Sequence, residues 1–585
     1  MRVFFSLEAA KEEMGVTQSI ETCVTEARTR YQAENDGQAL RHIPCEAAAF
    51  WPKFDHLLYM PILGLTRPRD LYYYQGDGFC VLYGFTYKYL TQEHFLGQLT
   101  RLKVGSPLAN ALVYRYAQAW YPSAEPLYLF GDWHVKPHWT KEYSHAGHVT
   151  MWGRTMPGTK QLMLNGPRGH LLGGWNYPID THMTQVLVDL EEELSQTLQR
   201  PLICSIFDSE GGGLPVAERY AEANRYYISV LPGQHNHPLA DFVLEGDWTP
   251  VIDDPSREAV FARWAETKKA ETDPRRFVLL RPIGQREPTR IYTGRIPEWM
   301  PAAFVPWFHR RRWPNNELCI RELVKGANLN ENYGYTYDQV PNRTRQRRWA
   351  EAQAKVEVTQ NKLAQRQEAI KNQRQQLSQL QPTYAQQRTG LEARMVKQRC
   401  DLCQRQRSGK PTKRSYSRLC RLRQERTDVT TCFLKRQRCL IQRLHQHQTQ
   451  SSQLQQQLGE RIAARNVIDT ETLCRERHLE KDQVMLNLQI LLGNLHDWVR
   501  KHYFAPEWRS LTLEKATQMI YRKSGRVTWH PDRIEVVLDP YSYRDQQRAG
   551  EATCQHFNEA NLCWRDGRPL HISVQQNPKF QLCGF

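Results

Sequence analysis

The sequence predicts an α/β protein: a mixed sheet with flanking helices, a β-rich insertion, a long basic helical hairpin and a small α+β module at the end. Three observations lead there. Between residues 127 and 231, short apolar runs and helical periodicity follow the order three strands, helix, strand, helix, strand. Between 236 and 296, short strand-like runs lie between polar stretches. Between 341 and 460, a Gln-rich segment carries 26 Lys and Arg against 8 Asp and Glu. The net charge of the whole chain is +17, so the rest of the chain is close to neutral.

Residues 1–122 read as a helical N-terminal region, with a compact apolar stretch over 57–65 and helical spacing over 90–102 and 108–120. The core opens with the apolar run Leu127-Tyr128-Leu129-Phe130, ending at Gly131-Asp132. Residues 149–152 and 161–164 flank Met156-Pro157-Gly158-Thr159, a turn signal that predicts a hairpin there. A third extended piece centres on Leu171 and Leu172. Asp180 or Thr181 is the expected cap of a helix whose apolar stripe is Met183, Val186, Leu187, Leu190, Leu194 and Leu198. Asp189, Glu191, Glu192 and Glu193 are assigned to its polar face. The continuous apolar run 202–207, bounded by Pro201 and Asp208, has the pattern of a strand buried on both faces.

A second helix over 215–224 leads into a strand over 226–231. Residues 123–235 are thus the first part of the core, and 236–296 an inserted β-rich subdomain. Residues 297–340 hold a core helix from about Asn315 to Lys325, stopped by Gly326. Residues 341–465 form the basic coiled-coil hairpin, with thinly spaced Val356, Leu363, Ala369, Leu377 and Leu380 and a tip at Gly409-Lys410-Pro411. Residues 466–585 form the α+β module. It has a helix carrying Val484, Leu486, Leu488, Leu491, Leu492 and Leu495, then a hairpin of 527–529 and 534–536 around His530-Pro531-Asp532.

A basic excess of this size suggests a polyanionic partner. No apolar run approaches the length needed to span a bilayer, and Glu8 interrupts the N-terminus before a signal-peptide core develops. A cytoplasmic protein without a membrane partner is expected. Its 14 Cys then read as thiols or metal ligands rather than disulfides.

Asp132 and Asp208 each follow an apolar strand run directly, and Glu317 opens the later helix. Three converging carboxylates could bind two Mg²⁺ ions, which take carboxylate oxygens and keep waters for substrate phosphates. The residue types alone do not single out these three among 62 acidic residues.

Leu129-Phe130-Gly131-Asp132-Trp133-His134-Val135-Lys136 resembles the first-aspartate strand of insertion-sequence DNA transposases with a ribonuclease H-like Asp-Asp-Glu core. Ile206-Phe207-Asp208-Ser209-Glu210-Gly211 resembles their second-aspartate strand. Arg312-Trp313-Pro314-Asn315-Asn316-Glu317, with Arg321 one turn on and Asn332-Tyr333-Gly334-Tyr335 beyond, is similar to their glutamate helix. Trp133, Ser209 and Asn316 stand where members of that family have Gly, Arg and Gln, Lys325 is slightly out of register, and no clear N-terminal helix-turn-helix is present.

The resemblance covers most of the chain from about residue 55. It implies a ribonuclease H-like core in which Asp132, Asp208 and Glu317 coordinate two Mg²⁺ or Mn²⁺ ions. It also implies metal-dependent cleavage and strand transfer on double-stranded DNA, both element ends and target, by a nucleoid-associated protein, with a homodimer as the expected assembly. The alternative is a catalytically inactive, transposase-derived DNA-binding or architectural protein.

Arg312 and Arg321 are candidate phosphate contacts, as are Arg405, Arg407, Lys410, Lys413 and Arg414 around the hairpin tip. Cys400 and Cys403 form a CxxC pair with Cys420, Cys432 and Cys439 downstream. That leaves a Zn²⁺ site open beside the reading as free thiols. His134 could touch substrate phosphate, hold Asp132, or be a packed structural histidine. Gly211-Gly212-Gly213 reads as a flexible turn, since no Lys-Ser or Lys-Thr follows to make a nucleotide loop.

Overall fold

A computed structural model describes residues 3–35, 40, 50–74, 89–122, 127–140, 144–334, 336–564 and 566–578. Tyr335 lies outside the described residues. The chain divides into two compact units, one of Met1–Gln339 with Arg475–Phe585, the other of Val340–Cys474.

Among the described residues the first unit begins with the α-helices α1 (Val3–Glu13), α2 (Val16–Glu34), α3 (Phe50–Leu63), α4 (Tyr89–Arg101) and α5 (Gly105–Trp120). Their apolar residues recur every three or four positions, as Leu108, Leu112, Val113, Tyr116 and Trp120 do on α5, so each helix buries one stripe. The sheet then forms from β1 (Leu127–Pro137), β2 (Ala146–Val149), β3 (Arg154–Asn165) and β4 (Leu171–Pro178). Next come α6 (Met183–Leu198), β5 (Leu202–Ile206), α7 (Leu214–Glu222) and β6 (Tyr227–Val230). β3 lies antiparallel to β1 and pairs with β2 and β4, while β1, β5 and β6 run parallel in that order. β5 pairs with β1 only as far as Phe130, whereas β1 continues along β3 to Pro137. Asp132 therefore stands where the sheet narrows.

Two expectations about this sheet are corrected. Met156-Pro157-Gly158-Thr159 is not the hairpin turn but lies inside β3. The turn is Thr150–Trp152, closed by Gly153 in the left-handed region at φ 59°. Gly158 marks a close approach within the strand, since a Cβ there would lie 2.6 Å from the Lys136 carbonyl oxygen. The cap of α6 is His182, whose peptide N–H donates to Gln185 Oε1 at 2.8 Å, rather than Asp180 or Thr181.

The segment after β6 is β-rich but not a separate subdomain. It holds β7 (Phe242–Leu244), β8 (Thr249–Val251), β9 (Asp254–Trp264), a short α8 (Thr267–Thr272), β10 (Arg276–Pro282) and β11 (Arg290–Gly294). β11 returns to pair with β6 through Tyr292↔Val230 and Thr293↔Ser229, so the insertion extends the main sheet. Phe242, Trp264 and Phe277 pack ring on ring in its own small core.

From α9 (Phe304–Arg312) and α10 (Leu318–Gly326) the chain leaves through β12 (Tyr337–Pro341) into α11 (Arg343–Arg407) and α12 (Lys413–Asn466), then returns through β13 (Leu473–Arg477). Then follow α13 (Glu480–His502), α14 (Leu513–Ala516), β14 (Gly525–Trp529), β15 (Ile534–Leu538), α15 (Arg544–Glu559) and β16 (Leu570–Val574). α13 is a central helix of the first unit. Three of its polar side chains find backbone partners: Gln483, Asn487 and Asn494 donate to the carbonyls of Gly174, Gly105 and Leu171 at 2.8, 2.7 and 2.8 Å. Residues 466–585 are thus partly core rather than wholly an appended module.

The second unit is an antiparallel helical hairpin. Val356, Thr359, Leu391, Met395 and Gln398 on α11, and Ser415, Leu419, Leu422, Leu440 and Ser451 on α12, are its buried seam, at coiled-coil spacing. Tyr384 and Phe433 stack across it with centroids 4.1 Å apart. Gly409, at φ 62°, turns the chain at the tip. No described helix is long and apolar enough to cross a membrane.

Glu191, assigned from sequence to the polar face of α6, is buried instead. It accepts from the Tyr220 hydroxyl, with Arg225 3.8 Å away. Burial pushes its carboxyl up from the ordinary 4.5 to about 7, with Ser205, Tyr220 and Arg225 opposing. The folded state thus holds this proton more tightly than the unfolded chain. The stability it contributes is full below about pH 4.5 and is lost as pH rises through about 7. Relative to Glu191→Gln, the wild-type unfolding free energy should fall by roughly 1–3 kcal/mol across that window. Denaturant titrations at stepped pH check this, and a wild-type-minus-variant difference that is flat with pH contradicts it.

Candidate functional site

Three segments far apart in sequence bring their carboxylates to one guanidinium. Arg312 Nη1 lies 2.7 Å from Asp132 Oδ2, and its Nη2 lies 2.6 Å from Glu317 Oε1 and 3.7 Å from Asp208 Oδ2.

Each acid is placed by identifiable local structure. Asp132 follows Gly131 on β1, where a Cβ would collide with the Phe207 ring, so only glycine allows the strand to pass so close. Its Oδ1 accepts from the Trp133 peptide N–H at 2.8 Å. Asp208 follows β5 after one intervening residue, Phe207, and precedes the 3-10 turn Ser209–Gly212. Its peptide carbonyl accepts from Ser229 Oγ at 2.6 Å. The glycines after it are a packed turn rather than a flexible one: Gly211 and Gly212 are buried, with Gly212 set against the Val230 carbonyl. Glu317 ends a π-helical turn, Trp313–Glu317, that joins α9 to α10 and accommodates Pro314. Asn316 Nδ2 donates to the Phe130 carbonyl at 2.9 Å and Asn315 Nδ2 to the Pro167 carbonyl at 3.1 Å, so the turn is stitched to β1 and to the loop after β3.

The electrostatics follow from this crowding. Burial pushes Asp132 up to about 6. Arg312 and the Trp133 N–H oppose the shift, and the charges of Asp208 and Glu317 add to it. Glu317 is also raised, by burial and by Asp208, against Arg312 and Arg321. Arg312 supplies one positive charge to three acids, so the cluster keeps an excess of negative charge when all are ionised. Carboxylate oxygens are the donors that Mg²⁺ and Mn²⁺ take, and in chemistry and charge the set suits such cations. Among the described residues, however, no group of three His, Cys, Asp or Glu is arranged to hold a metal ion. In this arrangement the guanidinium stands among the acids.

The remaining candidates are distributed as follows. Arg312, expected as a phosphate contact, is buried with both Nη atoms engaged by the acids. Arg321 is exposed, 5.6 Å from the ring of Trp313, itself 52% exposed. Arg405, Arg407, Lys410, Lys413 and Arg414 are all exposed around the hairpin tip. Cys400, Cys403, Cys420 and Cys432 are exposed free thiols on α11 and α12. His134 is buried, with Nε2 2.8 Å from Asn330 Oδ1, and burial holds its pKa down to about 4.

Sequence reasoning missed the groups behind the site. His309 Nε2 donates to the Phe207 carbonyl at 3.1 Å, fixing the residue before Asp208. Lys136 and Asp482 form a fully buried pair at 3.3 Å, tying β1 to α13. Lys481, Gln483 and Asn487 stand near Asp482 in the sequence, so nothing local marked it as the buried partner of Lys136.

Arg312→Ala should leave these acids without a close cation. The expected result is a loss of about 3 kcal/mol at neutral pH, smaller at pH 4, where Asp132 and Glu317, both raised, take up protons. Millimolar Mn²⁺ should raise the melting temperature of the variant more than that of wild type. Equal stability of variant and wild type at neutral pH would contradict the arrangement. No protein-family model matches the chain, and no curated protein matches it in sequence.

Proposed function

We propose that the chain is a DNA transposase with a ribonuclease H-like core, catalysing metal-dependent cleavage and transfer of DNA strands. The observation that carries the reading is the convergence of Asp132, Asp208 and Glu317, from β1, the end of β5 and the helix after the insertion, on one point. Nothing in local sequence requires three such distant acids to meet. Adjacent parallel strands that each present an aspartate where β5 stops further support this reading. When bound, two Mg²⁺ or Mn²⁺ ions held by these carboxylates would supply Lewis-acid stabilisation of the attacking and leaving oxygens of a phosphodiester. The chain's own part is to hold the acids in place through Gly131, Ser229, His309 and Asn316. In this reading water opens the phosphodiester at the element end, and the freed 3′ hydroxyl attacks a target phosphodiester and displaces that strand's 3′ oxygen.

One observation favours a second reading, a non-catalytic DNA-binding descendant: the guanidinium of Arg312 sits among the acids. Strand cleavage separates the two. Asp208 is half exposed, so Asp208→Ala should fold normally, bind DNA as wild type does, and lose Mg²⁺-dependent cleavage to background. Cleavage at the wild-type rate in Asp208→Ala would remove the acids from the reaction. A wild-type chain that binds DNA but never cuts it would favour the second reading.

DNA affinity is assigned to the hairpin, where the net charge resides. Each neutralised phosphate releases counterion, giving a log–log salt slope of about −0.9 per duplex contact. Neutralising Arg405, Arg407, Lys410, Lys413 and Arg414 together should flatten that slope and weaken binding to all sequences alike. Unfolding should be little changed, because exposed charges contribute little stability. Salt-titrated binding decides: an unchanged slope with altered oligomeric state assigns the hairpin to dimerisation instead.

A further inference from the structure

Beyond the acid cluster, the sheet carries an exposed aromatic surface. β1 and β3 run on together past the end of β5, and beyond them Trp139 meets the β2–β3 turn. Trp139 is 70% exposed, Trp152 50% and the intervening Met151 63%. The two indoles meet edge to face with centroids 5.6 Å apart. The Arg154 guanidinium lies 5.2 Å from the Trp139 ring and 5.8 Å from the Trp152 ring, and among the described residues it pairs with no acid. Gly153, in the left-handed region, fixes the turn that presents them. Single exposed apolar residues are ordinary, but two exposed indoles that share one guanidinium, with an exposed methionine in the same turn, mark a binding surface.

An edge-to-face pair leaves indole surface open for a flat partner. A guanidinium beside it suits a ligand that is aromatic and carries negative charge. A nucleic-acid strand with unpaired bases meets both demands, since every base has a π-face and each is followed by a phosphate. A neutral apolar protein face would gain nothing from the Arg154 charge. Trp139 lies seven residues beyond Asp132 along a nearly continuous extended segment. At about 3.3 Å per residue the two are on the order of 20 Å apart.

We propose that Trp139, Trp152 and Arg154 form a stacking platform for unpaired DNA bases, on the order of 20 Å along the strand from the acid cluster. The inference rests on the DNA-transposase reading for its polymer, and it adds a preference for unpaired bases that the reading does not contain.

The full-length chain is titrated with a duplex and with the same duplex carrying a short unpaired bubble, using 2-aminopurine as a reporter in the bubble. Wild type should prefer the bubble and quench the reporter. Trp139→Ala/Trp152→Ala should lose at least about fivefold of that preference with paired-duplex affinity unchanged. Trp139→Phe/Trp152→Phe should retain part of it, because Phe also stacks. A wild type with no bubble preference, or an alanine pair that keeps it, overturns the platform. So does an alanine pair that keeps the preference but loses self-association or binding to anionic vesicles. The two levels separate: no affinity for any DNA removes the transposase reading as well, whereas duplex binding and Asp208-dependent cleavage without bubble preference remove the platform alone.

Discussion

Bringing three carboxylates to one place is electrostatically costly, and the single guanidinium of Arg312 is what makes the described arrangement tenable. Asp132 is pushed up to about 6 even with that cation beside it. The fold holds the acids together nonetheless because their backbones are tied elsewhere. Asn316 locks the glutamate turn to β1, Ser229 and His309 secure the end of β5, and glycine at 131 lets the Phe207 ring pass against the strand. A site assembled in this way keeps a standing affinity for positive charge. Arg312 meets that affinity here, and the proposed chemistry requires that divalent cations can meet it too.

Behind this cluster lies a buried polar framework. Lys136 on β1 faces Asp482 on α13, with Arg477 3.9 Å from the same carboxylate. Burial pushes Asp482 up, but Lys136 and Arg477 outweigh it and leave the carboxyl below its usual range. Such a pair adds little net stability compared with apolar packing, but it has one good geometry. With Gln483, Asn487 and Asn494 bonded to strand and helix carbonyls, α13 is keyed to the sheet rather than merely pressed against it. The C-terminal part of the chain thereby helps to set the strand that carries the first aspartate.

The two units meet opposite electrostatic demands. The first concentrates negative charge at one point. The second spreads positive charge along two long helices whose seam is thin and partly polar, with Thr359, Gln398, Ser415 and Ser451 among its buried residues. A seam of that kind holds two helices together while leaving most of their surface to basic side chains. The Tyr384–Phe433 stack supplies a local aromatic contact in a seam otherwise poor in large side chains.

Period and charge, which are local, were legible in the sequence. Continuous apolar runs at 127–130 and 202–206 gave strands, three-to-four spacing gave α5, α6 and α13, and a run of basic residues with thin apolar spacing gave the hairpin and its tip. Asp132, Asp208 and Glu317 could be nominated because each sits at a strand end or helix start. Pairing partners and burial were not legible, because they depend on residues distant in sequence. Pro157-Gly158 carried the signature of a turn, yet the strand continues through it because glycine is what the nearby Lys136 carbonyl tolerates. Glu191 carried the signature of a solvated face, yet Tyr220 and Arg225 from later segments enclose it. The insertion read as separate, yet β11 returns to β6. Arg312 read as a free phosphate contact, yet acids from 180 residues before it and five after it close around its guanidinium. Sequence by itself determined which segments are strands, which are helices and where charge accumulates. Only the tertiary structure decided which charges meet, because that choice is made by long-range strand pairing and packing.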